Sequence, residues 1–350
     1  MIYVTGIWEK FRGLECHFLK RLLRANASKV AGWGWLVSTI SGHRLAKEKS
    51  RPKSNLFFEK IAVLLIGRDD CIPIHHYTLS IKHYPLKQLM LFKNKTVWIT
   101  GASSGIGEAL AYEFARQGAR LVLSARNEAA LQRVASACPA GTLVQPLDLG
   151  DFDSLPGITA QVLKKTGGVD ILVNNGGISQ RGLAKDTRFE VDRKLVEVNL
   201  LGTIALTKAL LPHFLDKKSG HFVTVTSLMG KFGAPLRSGY AAAKHGLHGF
   251  FDTLRAECWR ENVRVTLICP GYVRTNVSIN ALTGDGSFQG TMDDATDKGL
   301  APEALARKIV RAVAKGKREA CFGGKEVLAV YIKRFFPGLM AWVAGRARTT

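Results

Sequence analysis

Hydrophobic spacing changes character near residue 90. From Lys95 onward, short unbroken apolar runs alternate with stretches whose apolar residues recur at helical spacing, the pattern of buried strands and of helices that cover them. Thr96-Val97-Trp98-Ile99-Thr100 is the first strand. It is followed by Gly101-Ala102-Ser103-Ser104-Gly105-Ile106-Gly107 and a helical pattern over 108–117, stopped by Gly118. Strands are then predicted over 120–125, 143–147, 170–173, 221–226 and 264–269, with helices through Ala137 and over 151–166, 188–214 and 240–261. An amphipathic helix over 304–314 and a last short strand over 319–322 close the series. Repeated β-α units with nearly continuous apolar strands predict a parallel sheet covered on both faces. The expected architecture is α/β, a single doubly wound (Rossmann) domain over 90–324.

Residues 1–89 sustain neither the helical nor the strand period, and form an extension expected to be irregular and poorly ordered. Their apolar runs, such as 30–40 and 61–67, fall short of the roughly 20 residues a membrane span needs. Glu9 and Glu15 interrupt the start, which argues against a secretory signal. The abrupt onset of pattern raises the hypothesis that Met90 is the natural start and that 1–89 is not native; an intact mass matching all 350 residues would remove it.

The tail over 325–350 is apolar and basic. Val327-Leu328-Ala329-Val330-Tyr331-Ile332-Lys333-Arg334-Phe335-Phe336 precedes Pro337, which should split the segment into two short helices. Packing on the body or on a partner subunit is one reading. A weak membrane-surface contact through Lys333, Arg334, Arg346 and Arg348 is the other.

Composition narrows the class. With 46% hydrophobic and 22% charged residues the chain reads as globular. Its net charge of +22 favours anionic partners such as a phosphate-bearing cofactor. The basic residues are dispersed without aromatic interleaving, so specific nucleic-acid binding is not expected. Six scattered cysteines with no C-x-x-C pair argue against a metal site or a disulfide framework, and for free thiols in a reducing, cytoplasmic setting. Cys258 and Cys269 read as core.

Three stretches carry candidate chemistry. A glycine-rich turn between strand and helix, Gly101-x-x-x-Gly105-x-Gly107 with Ser103, Ser104 and Ile106 inside it, lets backbone approach a diphosphate, and the helix N-terminus adds partial positive charge. Tyr240 and Lys244 are four residues apart and share one helix face. A nearby ammonium favours phenolate and suits Tyr240 to proton exchange with an alcohol or carbonyl, although the same spacing occurs on ordinary surface helices. Ser227 ends an apolar strand and offers a hydroxyl for the same oxygen, or simply ends the strand in a turn.

In combination, Thr100 to Gly107, Asn174-Asn175-Gly176-Gly177, Asn199, Ser227, Tyr240-x-x-x-Lys244 and Pro270-Gly271 resemble the short-chain dehydrogenase/reductase family. The resemblance covers about 92–322. It implies a nicotinamide-dependent oxidoreductase interconverting a small-molecule carbonyl and alcohol, with Tyr240 as general acid/base and Ser227 holding the substrate oxygen. Lys244 is implied to lower the Tyr240 pKa and to bind the nicotinamide ribose, and Asn199 to seat a water between Lys244 and solvent. Asn199 could instead be a polar residue that bends its helix. The resemblance also places cofactor contacts at Asp148, Leu149, Asn175, Gly176, Pro270, Gly271, Val273 and Thr275; a helix N-terminal capping role competes for Asp148.

The second strand ends Leu123-Ser124-Ala125-Arg126 without a carboxylate. An acidic group there would bind the adenosine ribose and repel a 2′-phosphate. Arg126, aided by Ser124, pairs with phosphate instead, so NADP(H) is expected over NAD(H). A solvated helix start is the competing reading for Arg126. Gly176-Gly177 departs from the family's usual Asn-Asn-Ala-Gly and is expected to alter loop rigidity only. The segment 275–299 is expected to be a mobile lid, and the helices over 188–214 and 240–261 to join a homodimer or homotetramer. The opposing reading, a non-catalytic dinucleotide-binding scaffold or sensor, would be favoured by loss of Tyr240, Lys244 or Ser227, and all three are present.

Overall fold

The structure, a computed structural model, describes residues 90–346; the expectations for 1–89 and for Arg348 lie outside the described residues. The apolar runs form β1 (Thr96–Thr100), β2 (Arg120–Ser124), β3 (Leu143–Val144), β4 (Ile171–Asn174), β6 (Gly220–Val225), β7 (Val263–Pro270) and β9 (Glu319–Phe322), all parallel, in the order β3-β2-β1-β4-β6-β7-β9. Successive strand residues face opposite sides of a sheet. Val97 and Ile99 accordingly join Leu110, Phe114 and Ile309 on one side, while Trp98 joins Phe214, Phe222 and Phe251 on the other. Each such fully buried side chain contributes about 1.5–3 kcal/mol, which is why these strands carry no alternating polar positions.

The helices are α1 (Gly105–Arg116), α2 (Glu128–Ser136), α3 (Leu155–Thr166), α4 (Phe189–Val196), α5 (Gly202–Asp216), α6 (Ser238–Glu257), α7 (Asp294–Asp297), α8 (Pro302–Ala314), α9 (Leu328–Phe335) and α10 (Pro337–Arg346). Asn127 caps α2 by accepting from the Ala130 amide at 2.9 Å, and α3 stops where Gly167 turns left-handed at φ 72°. The split of the tail at Pro337 is as expected. Its inner residues, Met340 and Ala344 among them, pack on Leu228 and Phe232.

Several elements differ from the sequence reading: α3 starts at Leu155 rather than 151 and α6 ends at Glu257 rather than 261, and three further differences bear on the site. The glycine turn winds directly into α1, so that helix starts at Gly105 rather than Glu108. Pro146 supplies no amide, so β3 shrinks to two residues, although the Gln145 and Leu147 amides still donate to β2 and Ala125 carbonyls. The helix over 188–214 is interrupted by one wide turn, Glu197–Leu201, between α4 and α5. The whole run Phe189–Asp216 is long and apolar enough to cross a membrane by length and composition, but Leu206, Leu210 and Phe214 are buried in the core beside the sheet.

The strand order reverses direction between β1 and β4. In such sheets the ligand crevice lies beyond the C-terminal strand ends at the reversal. The turns after β1, β4, β6 and β7 carry Gly101, Asn175, Ser227 and Gly271 to that edge.

Candidate active site

Two neighbouring cavities occupy the crevice. The larger, about 830 Å³, is lined by Gly101, Ser103, Ser104, Gly105, Arg126 and Asp148, with Leu149 and Gly176. The smaller, about 300 Å³, is lined by Ser227, Tyr240, Lys244, Pro270, Gly271 and Val273. Ile106, Asn175, Gly177 and Thr275 border both, so the two are continuous.

The glycine turn is built for close approach. Gly101 has φ 63°, and a β-carbon there would meet the Gly176 Cα at 2.8 Å. A β-carbon on Gly107 would lie 2.1 Å from the Gly101 carbonyl oxygen. Thr100 Oγ1 accepts from the Asn175 and Gly176 amides at 3.0 Å each, and Asn175 Nδ2 donates to the Thr100 carbonyl at 3.1 Å. These bonds lock the turns after β1 and β4 together and leave a wide cleft over them. Donor-rich backbone, glycine clearance and an exposed Arg126 at the far wall fit a dinucleotide with its diphosphate at the α1 N-terminus.

Ser124 does not belong to this wall. It is fully buried and accepts from Trp98 Nε1 at 2.9 Å, which removes it as a phosphate ligand. Asp148 caps a turn, its Oδ1 accepting from the Gly150 amide at 2.9 Å, while the residue preceding α3 is Ser154. The helix-capping reading of Asp148 is thereby corrected, and its carboxylate still borders the larger cavity. Arg133, from the next turn of α2, reaches the Ser103 carbonyl at 3.2 Å and is paired with Glu108 at 2.7 Å.

In the smaller cavity, Lys244 Nζ lies 5.7 Å from the centroid of the Tyr240 ring and donates to the Val225 carbonyl at 3.1 Å. Burial brings the Lys244 ammonium down to about 8. Desolvation pushes the Tyr240 phenol above its ordinary value, against the Ser227 hydroxyl and the Arg237 and Arg181 cations, which pull it down. Beside Lys244, the sequence reading left out two cations that also pull Tyr240 down, buried Arg237 and half-buried Arg181. Arg181 and Arg237 share one carboxylate, Asp293, which Arg181 grips directly and Arg237 approaches to 3.7 Å. Arg181 comes from β5 (Gln180–Arg181), which pairs with β8 (Leu282–Thr283). The neighbouring Gln180 accepts from the Tyr240 amide through its Oε1 at 3.1 Å and so anchors the start of α6.

Asn199 is fully buried in the wide turn. Its Oδ1 accepts from the Ile178 amide at 2.7 Å and its Nδ2 donates to the Ile178 carbonyl at 2.9 Å. The side chain is thus a brace for the loop after β4, with one lone pair of Oδ1 and one N–H of Nδ2 outside these two bonds. The helix-bending reading and the functional one meet here, since wide turns of this kind concentrate at functional sites. The 275–299 segment differs from the expected lid: β8 and the Asp293 ion pair tie it to β5. Glu326, from the tail, also enters the site, accepting from the Tyr272 amide at 3.3 Å and filling the space that a Gly271 β-carbon would need.

Behind this cavity, His248, Cys269 and Glu319 place ligand-type atoms within 4.8 Å of one another. Glu319 is paired with Lys231 at 2.5 Å, and His248 Nε2 with Thr226 at 3.1 Å. Cys258 and Cys269 are buried, as expected.

Comparison with known proteins agrees with this geometry. The pattern of the family described as short chain dehydrogenase matches residues 95–285. "Dehydrogenase/reductase SDR family protein 7-like" of Anopheles gambiae is 43% identical over 258 residues, covering 71% of this chain and 81% of that one. A short-chain dehydrogenase from Streptomyces avermitilis superposes with TM-score 0.63 at 28% identity, over 72% of this chain and 95% of its own. An alcohol dehydrogenase from Thermococcus sibiricus, complexed with 5-hydroxy-NADP, gives TM-score 0.58 at 27% identity, over 67% and 97%.

Proposed function

This chain belongs to the short-chain dehydrogenase/reductase family and is an oxidoreductase, and from that premise we propose that it interconverts a carbonyl and an alcohol with NADP(H), using Tyr240 as acid/base. The observation that carries the reading is the meeting of Ser227, Tyr240 and Lys244 in one cavity continuous with the glycine turn. Bound NADPH supplies the hydride. Tyr240 gives its phenolic proton to the substrate oxygen, and the Ser227 hydroxyl donates to that same oxygen and orients it. Because desolvation raises the phenol, Tyr240 is protonated at neutral pH and is poised for reduction. Arg237, Arg181 and Lys244 then stabilise the phenolate left behind, and Asn199 positions the loop that borders them.

The preference for NADP(H) is supported by the missing carboxylate after β2 and by exposed Arg126 on the cavity wall. The Thermococcus relative, complexed with an NADP derivative, is consistent with it. Exposed Phe189 and Leu201, with Trp259 just beyond α6, support association of copies through these helices. A panel of carbonyls followed by absorbance of the reduced nicotinamide tests the proposal: NADPH consumption with at least one carbonyl is expected. Nucleotide binding without turnover of any would leave a scaffold instead.

A further inference from the structure

The tail helices present two different faces. Inward, Ala329, Met340, Val343 and Ala344 line the smaller cavity beside Leu228 and Phe232, so α9 and α10 form part of the wall where substrate must lie. Outward, Leu328, Tyr331 and Phe335 fall at i, i+3 and i+7 of α9, a single helical stripe, and are 61%, 60% and 67% exposed. Phe336, Leu339 and Trp342 extend the stripe at 50% exposure or more. Among the described residues, other large exposed apolar side chains stand singly, as Phe288 does, or as the pair Met90-Leu91; six along one segment mark an interaction surface.

Charge identifies the occupant. Lys325, Lys333, Arg334 and Arg346 are all exposed on the same segment. The one acid in the segment, Glu326, is turned inward onto the Tyr272 amide. Arg346 stacks on Trp342 with its guanidinium 4.3 Å from the ring, an arrangement that keeps an aromatic ring and a cation at the same level. A second copy meeting this face across a two-fold axis would set these cations against their own counterparts with no carboxylate to pair them. An anionic bilayer offers hydrocarbon for the aromatic stripe and phosphate for the cations. We propose that the outer face of α9 and α10 docks on an anionic lipid surface, and that the cavity beneath it takes a long-chain carbonyl or alcohol from that surface. The substrate half rests on the oxidoreductase reading above; the docking half does not.

The test uses the full chain and two variants, Lys333→Glu/Arg334→Glu and Tyr331→Ser/Phe335→Ser/Trp342→Ser, checked for unchanged melting temperature. Cosedimentation is measured with vesicles of phosphatidylcholine alone and of phosphatidylcholine with phosphatidylserine. NADPH oxidation is measured with two carbonyls of one head group, a soluble short-chain one and a long-chain one presented in vesicles. Docking predicts binding to the phosphatidylserine vesicles that weakens by at least about tenfold in either variant. Both variants keep wild-type turnover of the short carbonyl and lose most turnover of the long one. Wild-type protein that ignores both vesicles, or variants that bind as wild type does, would overturn docking. So would a concentration-dependent dimer lost in the variants without vesicle binding, since a second copy would then cover the face. Normal vesicle binding with no preference for the long chain would overturn the substrate half. No NADPH consumption with either carbonyl counts against the oxidoreductase chemistry, and cosedimentation still decides docking.

Discussion

Lys244 holds its ammonium 5.7 Å from the centre of the Tyr240 ring while donating to the Val225 carbonyl, and burial lowers that ammonium to about 8. A lysine with so depressed a value loses its charge as pH rises through the range in which the buried phenol, raised by desolvation, is still protonated. The pH dependence of kcat/KM for the nucleotide reports groups of the free enzyme. Reduction is therefore expected to decline above about pH 8, when Lys244 becomes neutral. Lys244→Arg keeps its charge at all accessible pH, so its alkaline limb should move upward even though the absolute rate falls. A limb unmoved in the variant would assign it to another group.

Gly176 and Gly177 make opposite predictions. A β-carbon on Gly176 meets the flexible end of Leu149 at 2.9 Å, whereas one on Gly177 lies 2.7 Å from Asn199 Oδ1 and 3.7 Å from Lys244 Nζ. Asn199 cannot yield without breaking its two bonds to Ile178. Gly177→Ala should cost about 1–3 kcal/mol and most of the activity. Gly176→Ala should stay within about 0.5 kcal/mol. Thermal melts and initial rates of the two variants check the order; the reverse order would mean the Asn199 brace is misassigned.

Arg126→Asp replaces the exposed cation at the wall of the larger cavity with a carboxylate able to accept from ribose hydroxyls. Loss of a charge-assisted bond, about 1.5–3 kcal/mol, predicts a fall of roughly 10- to 150-fold in kcat/KM for NADPH. The value for NADH should hold or rise. Equal losses for both nucleotides would show that Arg126 does not read the 2′-phosphate.

Much of this site is local in sequence and was legible for that reason. Thr100 to Gly107, Asn174 to Gly177, Ser227 and Pro270-Gly271 each follow a strand directly, so a strand-turn pattern places them at one sheet edge. Arg181 and Asp293 are 112 residues apart and meet through two strands of two residues each, too short for any periodicity to reveal. Glu326 reaches Tyr272 across 54 residues. Ser124 looked like a phosphate ligand because sequence cannot show that Trp98, on the neighbouring strand, already claims its hydroxyl. The wide turn at Glu197–Leu201 left the helical period intact, so only the buried polar Asn199 hinted at it.

The most direct measurement is single-turnover and steady-state reduction by Tyr240→Phe with NADPH and an accepted carbonyl, alongside the NADPH dissociation constant. The account predicts a fall in kcat of about 10²- to 10⁴-fold, with nucleotide binding changed by no more than about threefold, since the phenol acts on the substrate oxygen and the glycine turn holds the dinucleotide. Turnover close to that of the wild type would contradict the assignment of Tyr240 as the proton donor.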